Sequence, residues 1–244
     1  MRCAVIGGGA WGSALAHLLG HGGHDVWLWA REPDVVEHVN LTHANPRFLP
    51  GAVLDPAVRA TSSLAAAVGG AELVIYVAPS HVLRAVVRST AEFLDAGALA
   101  VVATKGIERG TLALMTDVVR EELPGHAVVA LSGPSFALEV ARGMPTAVVA
   151  ASDDLAHAEV VQRALSSPVF RVYTNDDVTG VEIGGALKNV MAVATTDSAR
   201  ALAQRERVDM PIVMAIGRIL FEQQAPRDAL ADLMGRDLRP ERDA

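Results

Sequence analysis

The chain has 244 residues, of which 51% are hydrophobic, 20% charged and only 4% aromatic, so it suits one large domain or two small ones with a closed core. Mean hydropathy is positive and glycine and proline are scattered, which excludes a disordered or fibrous chain. A net charge of -7 argues against an extended phosphate-backbone footprint, hence against nucleic acid as main partner, and no apolar run reaches the ~20 residues of a bilayer span. Met1 leads straight into an apolar strand with no room for a signal segment, so a cytoplasmic location is expected. Cys3, the single cysteine, reads as a buried strand residue in a reducing compartment.

Residues 2–6 read as a short buried strand, followed by the turn Gly7-Gly8-Gly9-Ala10-Trp11-Gly12 and a helix from Ser13 to Leu19. A second strand at 25–29 completes a βαβ unit of about 30 residues. Further strands are predicted at 73–77, 98–103, 127–131 and 146–150, alternating with helices at 34–41, 81–94, 111–122 and 153–165. This alternation implies an α/β fold with a doubly wound parallel sheet of the Rossmann type over residues 1–175, closed by a strand near 169–173. From residue 176 to 244 the pattern is helical, with predicted helices from 177 to about 203, at 210–223 and at 226–234. The eight histidines show no ligand spacing, so no metal is expected.

Gly7-x-Gly9-x-x-Gly12, placed between a strand and a helix, has the spacing that holds a dinucleotide. The first glycine allows the tight turn, the second lets the pyrophosphate approach the backbone, and the third lets helix pack on strand. At the tip of the second strand the order is Ala30-Arg31-Glu32. Arg31 there suits the 2′-phosphate of NADP(H), though a solvated arginine fits the sequence equally well.

Of the 21 basic residues 19 are arginine, and the two lysines are Lys105 and Lys188. An ammonium gives up a proton far more readily than a guanidinium, so these two positions invite a chemical role. Lys105 falls at a strand tip, in Thr104-Lys105-Gly106, beside two other tips, Ala78-Pro79-Ser80 and Ser132-Gly133-Pro134-Ser135. In a parallel sheet all three lie on the carboxyl edge, where ligands bind. Lys188 lies within a predicted helix, after Gly184-Gly185. The paired glycines suggest that something packs against their backbone, with Gly184 on the face of Lys188; Asn189 reads as a second polar contact or an exposed residue.

Together these segments resemble a known family. Gly-Gly-Gly-Ala-Trp-Gly at 7–12, Trp-Ala-Arg at 29–31, Asn-Pro-Arg-Phe-Leu-Pro-Gly at 45–51, Thr-Lys-Gly-Ile-Glu at 104–108, Leu-Ser-Gly-Pro-Ser-Phe-Ala at 131–137 and Ala-Leu-Lys-Asn-Val at 186–190 are similar to the bacterial NAD(P)-dependent sn-glycerol-3-phosphate dehydrogenases. The resemblance implies an oxidoreductase of glycerophospholipid biosynthesis that interconverts glycerone phosphate and sn-glycerol 3-phosphate with NADP(H) or NAD(H); a missing segment would uncover apolar surface on 177–194 and 210–223, so a homo-oligomer is expected. It implies a catalytic role for Lys188 as proton donor and acceptor, assisted by Lys105. Lys105, Gly133, Ser135, Lys188 and Asn189 would meet the substrate, and Gly7, Gly9, Ala10, Trp11, Gly12, Arg31, Phe48, Lys105 and Ala137 the cofactor. The likeness runs to Ala194 and resumes at Thr195; between them the family carries roughly 85 further residues, with a catalytic aspartate and a phosphate-gripping arginine. The chain thus resembles a member with a shortened all-α C-terminal domain. A binding protein without catalysis, or a reductase of another hydroxy acid, are the competing readings.

Overall fold

The computed structural model describes residues 1–186 together with 214, 218, 222–225 and 228. Met1–Ala186 form one compact unit. Its elements run β1 (Arg2–Ile6), α1 (Ala10–His21), β2 (Asp25–Trp29), α2 (Pro33–Thr42), β3 (Ala44–Asn45), β4 (Leu49–Val53), β5 (Val58–Thr61), α3 (Leu64–Val68), β6 (Leu73–Tyr76) and α4 (Ser80–Thr90). After a 3-10 turn at Ala91–Phe93 come β7 (Leu99–Val102), α5 (Met115–Glu122), β8 (Val128–Ser132), α6 (Ala137–Ala141), β9 (Thr146–Ala151), α7 (Leu155–Leu165) and β10 (Phe170–Asn175). Residues 178–186 are helical, as expected there, whereas the helices expected at 210–223 and 226–234 fall, apart from isolated positions, outside the described residues.

One eight-stranded sheet has the order β10-β9-β8-β7-β6-β1-β2-β5, and β3 and β4 form a separate antiparallel pair. β6 and β7 are buried at every position, as strands covered on both faces must be. Successive residues serve opposite layers. Val5, Ile75 and Val101 pack with Leu15 and Leu19 of α1 and Val161 of α7, while Ile6, Tyr76 and Val102 pack with Leu83 of α4 and Met115 of α5. The chain leaves β1 toward β2 on one side and toward β6 on the other, so a crevice opens past their carboxyl ends at the point where the winding reverses.

The expectation of a wholly parallel sheet needs one correction, because β9 runs antiparallel to β8. Between Ser132 and Thr146 the only helix is the five-residue α6. At 1.5 Å per residue it rises about 7.5 Å, too little to carry the chain back along a strand of ~17 Å. The helix expected at 111–122 begins only at Met115: Leu112 takes a left-handed φ of 62°, and the Thr111 hydroxyl accepts the Ala113 amide. The helix expected at 81–94 closes at Thr90, whose hydroxyl is held by the buried Tyr76 phenol at 2.7 Å.

Candidate active site

The glycine turn is built for close approach. Gly7 has φ +136°, and a Cβ there would stand 3.0 Å from the Val77 carbonyl carbon. A Cβ on Gly12 would overlap the Gly7 carbonyl oxygen, so the start of α1 rests directly on the turn. Gly9 differs from both, since nothing lies within 4 Å of where its Cβ would be. It is the N-cap of α1 and offers no side-chain cap, with no acidic residue in the first turn. Open space beside uncapped helix amides, at the positive end of the helix dipole, fits a pyrophosphate. The residues present therefore suit a dinucleotide.

Beyond the carboxyl ends of β1, β6, β7 and β8 lies a cleft of about 340 Å³ whose lining includes Trp11, Ser80, Thr104, Lys105, Ser135 and Ala137. Four residues expected in the site from sequence, Trp11, Lys105, Ser135 and Ala137, are thus brought together. The Lys105 ammonium donates to the Gly133 carbonyl at 3.0 Å. Gly133 itself sits tight against β9, where a Cβ would come within 2.8 Å of the Val148 Cα. Arg31 and Phe48 stand apart from this lining. Arg31 is exposed at the tip of β2 and pairs with Glu32 at 3.1 Å, next to Ala30, which faces Gly8 across the turn. Phe48 is half-buried against the core with the Arg47 guanidinium 5.2 Å over its ring, and Ala10 packs on the same core. Lys188 and Asn189 lie outside the described residues.

The paired glycines behave differently from expectation. Gly184 has open space, whereas a Cβ on Gly185 would collide with the Ser132 hydroxyl, so the bare stretch of helix facing β8 is at Gly185.

Several residues that shape the cleft carry no signal in the sequence beyond lying in or near its motifs. The Thr104 hydroxyl donates to the Ala78 carbonyl at 2.7 Å and ties the tips of β6 and β7 together. Glu108, three residues past Lys105, receives a two-pronged bond from Arg84, at 2.8 and 2.7 Å, and the Thr111 hydroxyl at 2.6 Å. The Arg84 guanidinium and then the Thr111 hydroxyl hold the Glu108 carboxyl at a pKa of about 2, so it stays ionised and anchors the loop that bears Lys105. Glu182 is buried beside a small cavity that Lys105 and Ser132 also line. Burial pushes its pKa up, against the opposing bonds from Thr116. Among the described residues, no helix is long and apolar enough to cross a membrane.

Comparison with known proteins agrees with this geometry. The family model described as the NAD-dependent glycerol-3-phosphate dehydrogenase N-terminus matches residues 2–158. A glycerol-3-phosphate dehydrogenase of Paramagnetospirillum magneticum, named as using NAD(P)+, is 50% identical over 193 residues, 79% of this chain and 70% of that protein. Its namesake in Rhodospirillum rubrum is 50% identical over 191 residues, and there the chain spans only 55% of the relative's length. With the enzyme of Nitratidesulfovibrio vulgaris strain DP4 the alignment covers 330 positions at 35% identity, 99% of this chain and all of the relative. Since this chain has 244 residues, a long stretch of that relative has no counterpart. The crystal structure of glycerol-3-phosphate dehydrogenase from Coxiella burnetii superposes with a TM-score of 0.75 at 27% identity, over 96% of this chain and 99% of that one.

Proposed function

The chain belongs to the NAD-dependent glycerol-3-phosphate dehydrogenase family, and from that premise we propose that it interconverts glycerone phosphate and sn-glycerol 3-phosphate with NADP(H) or NAD(H). The observation that carries this reading is the convergence of Lys105, Ser135 and the uncapped start of α1 on one cleft. A bound nicotinamide supplies or takes up the hydride. Gly7, Gly9 and Gly12, with the first amides of α1 at Ala10 and Trp11, would hold the pyrophosphate. Arg31 and Phe48 would meet the adenosine half, and Ala137 would close the cleft. The Lys105 ammonium places positive charge where the substrate oxygen gains negative charge, and Gly133 keeps that amine aimed. Ser135 and the Gly133 backbone would contact the triose phosphate. Lys188 would carry the proton to and from the substrate oxygen through its Nζ, with Asn189 a further contact.

Residues 1–175 would bind the dinucleotide and 176–244 would form a shortened substrate domain. We also propose a cytoplasmic homo-oligomer; the exposed apolar side chains Leu41, Val53 and Leu112 support self-association.

The stretch of the relative without a counterpart favours a second reading, a dinucleotide-binding protein with weak or absent turnover. If the absent stretch carried the phosphate anchor and an orienting carboxylate, their loss would slow turnover on the order of a thousandfold or more. A steady-state assay with glycerone phosphate and NADPH, beside a fluorescence titration with NADPH, decides between the readings. Binding with measurable turnover, slower than that of a full-length relative, is the expected result, and binding with no turnover would overturn the first reading. Turnover comparable to the relative would overturn the second reading, and absence of NADPH binding would overturn both.

A further inference from the structure

The side chain of Asn45 is fully buried and makes three hydrogen bonds to three separate parts of the cofactor site. Its Nδ2 donates to the Gly8 carbonyl and to the Ser13 hydroxyl, each at 2.8 Å, and its Oδ1 accepts the Phe48 amide at 3.1 Å. The donor to Gly8 acts on the turn itself. In a planar trans peptide the carbonyl and the amide point in opposite directions. Drawing the Gly8 carbonyl toward Asn45 therefore turns the Gly9 amide the other way, out of the core. The bond to Ser13 holds the first turn of α1 in the same frame, and the bond from Phe48 fixes the 45–48 loop to it.

We propose that Asn45 is a positioning residue for the dinucleotide: it orients the Gly8–Gly9 peptide for the pyrophosphate and couples that turn to the loop bearing Phe48. The proposal rests on the dinucleotide reading of the site. Asn and Asp have the same shape, but an ionised Asp accepts only. Asn45→Asp would keep the acceptor for Phe48 and lose the donor to Gly8, setting two oxygens face to face. A protonated Asp regains one donor.

The test is calorimetric titration of the full chain with NAD+ from pH 5 to pH 8, with circular dichroism melts showing that each variant is folded at the working temperature. NAD+ survives acid and lacks the 2′-phosphate, so its own charge stays constant across the range. Wild type should bind with little pH dependence. Asn45→Asp should bind at least about tenfold more weakly at pH 8 and recover toward pH 5, while uncharged Asn45→Leu should stay weak at every pH. Wild-type affinity in Asn45→Asp at pH 8 would overturn the proposal, as would a deficit that does not shrink on acidification. If Asn45→Leu binds like wild type, the effect of Asp is charge alone and the proposal also fails. A wild type that binds neither NAD+ nor, at pH 8, NADPH would instead overturn the dinucleotide reading and the proposal with it.

Discussion

Glu182 closes the first turn of α5 from another helix: one carboxyl oxygen accepts the Thr116 amide at 3.1 Å and the other accepts the Thr116 hydroxyl. α5 has no side-chain cap of its own, since its N-cap is Leu114. The helix at 178–186, which leads toward Lys188, is thereby pinned to the sheet layer at Glu182 and, one turn later, at Gly185 against Ser132. Glu182→Ala leaves buried donors of the first turn unpaired, so a loss of about 1 to 3 kcal/mol is expected from denaturant unfolding. Glu182→Gln keeps an acceptor for the Thr116 amide and should lose less. If both variants unfold at the wild-type midpoint, water caps α5 and the Glu182 contact is incidental.

Stability should fall in acid, and Glu108 should be one of the groups responsible. Its pKa drops from the ordinary 4.5 to about 2 in the folded chain, chiefly through Arg84. The unfolded chain therefore takes up a proton first as pH falls, so the contribution is complete above about 4.5 and lost on the way to about 2. Glu122, lowered by Arg88 and Arg84, acts with the same sign. Glu182 has the opposite sign: burial raises its pKa, so its contribution is present at low pH and declines as pH rises through its folded value. Urea unfolding at pH 7 and pH 3 should show a smaller acid loss in Glu108→Gln than in wild type. An unchanged loss would assign the acid sensitivity to other carboxyls.

The main layout was legible because β1, β6, β7 and β8 are short, largely apolar runs separated by helices of 3.6 periodicity. Strand direction is not written in periodicity, so the reversal at β9 had to come from the length of its connection. The β3–β4 pair was missed because Pro46, Pro50 and Gly51 read as loop and β3 has only two residues, and β5 because its four positions, Val58–Thr61 at the sheet edge, are too few to show a period. The site divided in the same way. Glycines at fixed spacing and a rare lysine at a strand tip stand out, since their roles depend on local backbone or residue type. Asn45 acts through Ser13, 32 residues away, Glu108 through Arg84, 24 away, and Glu182 through Thr116, 66 away, pairings that only the folded chain reveals.

The three glycines of the turn should separate by experiment into packing and binding positions. A methyl at Gly12 must displace the Gly7 carbonyl, so Gly12→Ala should destabilise the fold by several kcal/mol, on the order of 2 to 4. Gly9 faces open space, so Gly9→Ala should melt near wild type and still weaken NADPH binding at least about tenfold, because its methyl enters the volume of the pyrophosphate. A Gly9→Ala protein with wild-type NADPH affinity would place the phosphates elsewhere.

Choice between the two dinucleotides should turn on Arg31. Its side chain is 83% exposed and pairs with the adjacent Glu32, whose carboxylate is largely covered at 19% exposure. An exposed pair of this kind contributes about 1 kcal/mol or less and is screened by salt, so the guanidinium is easily drawn to a dianionic 2′-phosphate, which it can grip with two parallel bonds. NADH offers a ribose hydroxyl instead, which can use Glu32 as acceptor and leaves Arg31 in its present pair. NADPH should therefore bind at least as tightly as NADH in fluorescence titrations, and added salt should narrow the difference. Arg31→Asp should reverse the order, lowering NADPH affinity by about tenfold or more while NADH changes little. A wild-type preference for NADH, or an Arg31→Asp protein that holds NADPH unchanged, would mean that Arg31 is a solvated surface residue and that the 2′-phosphate is met by another group.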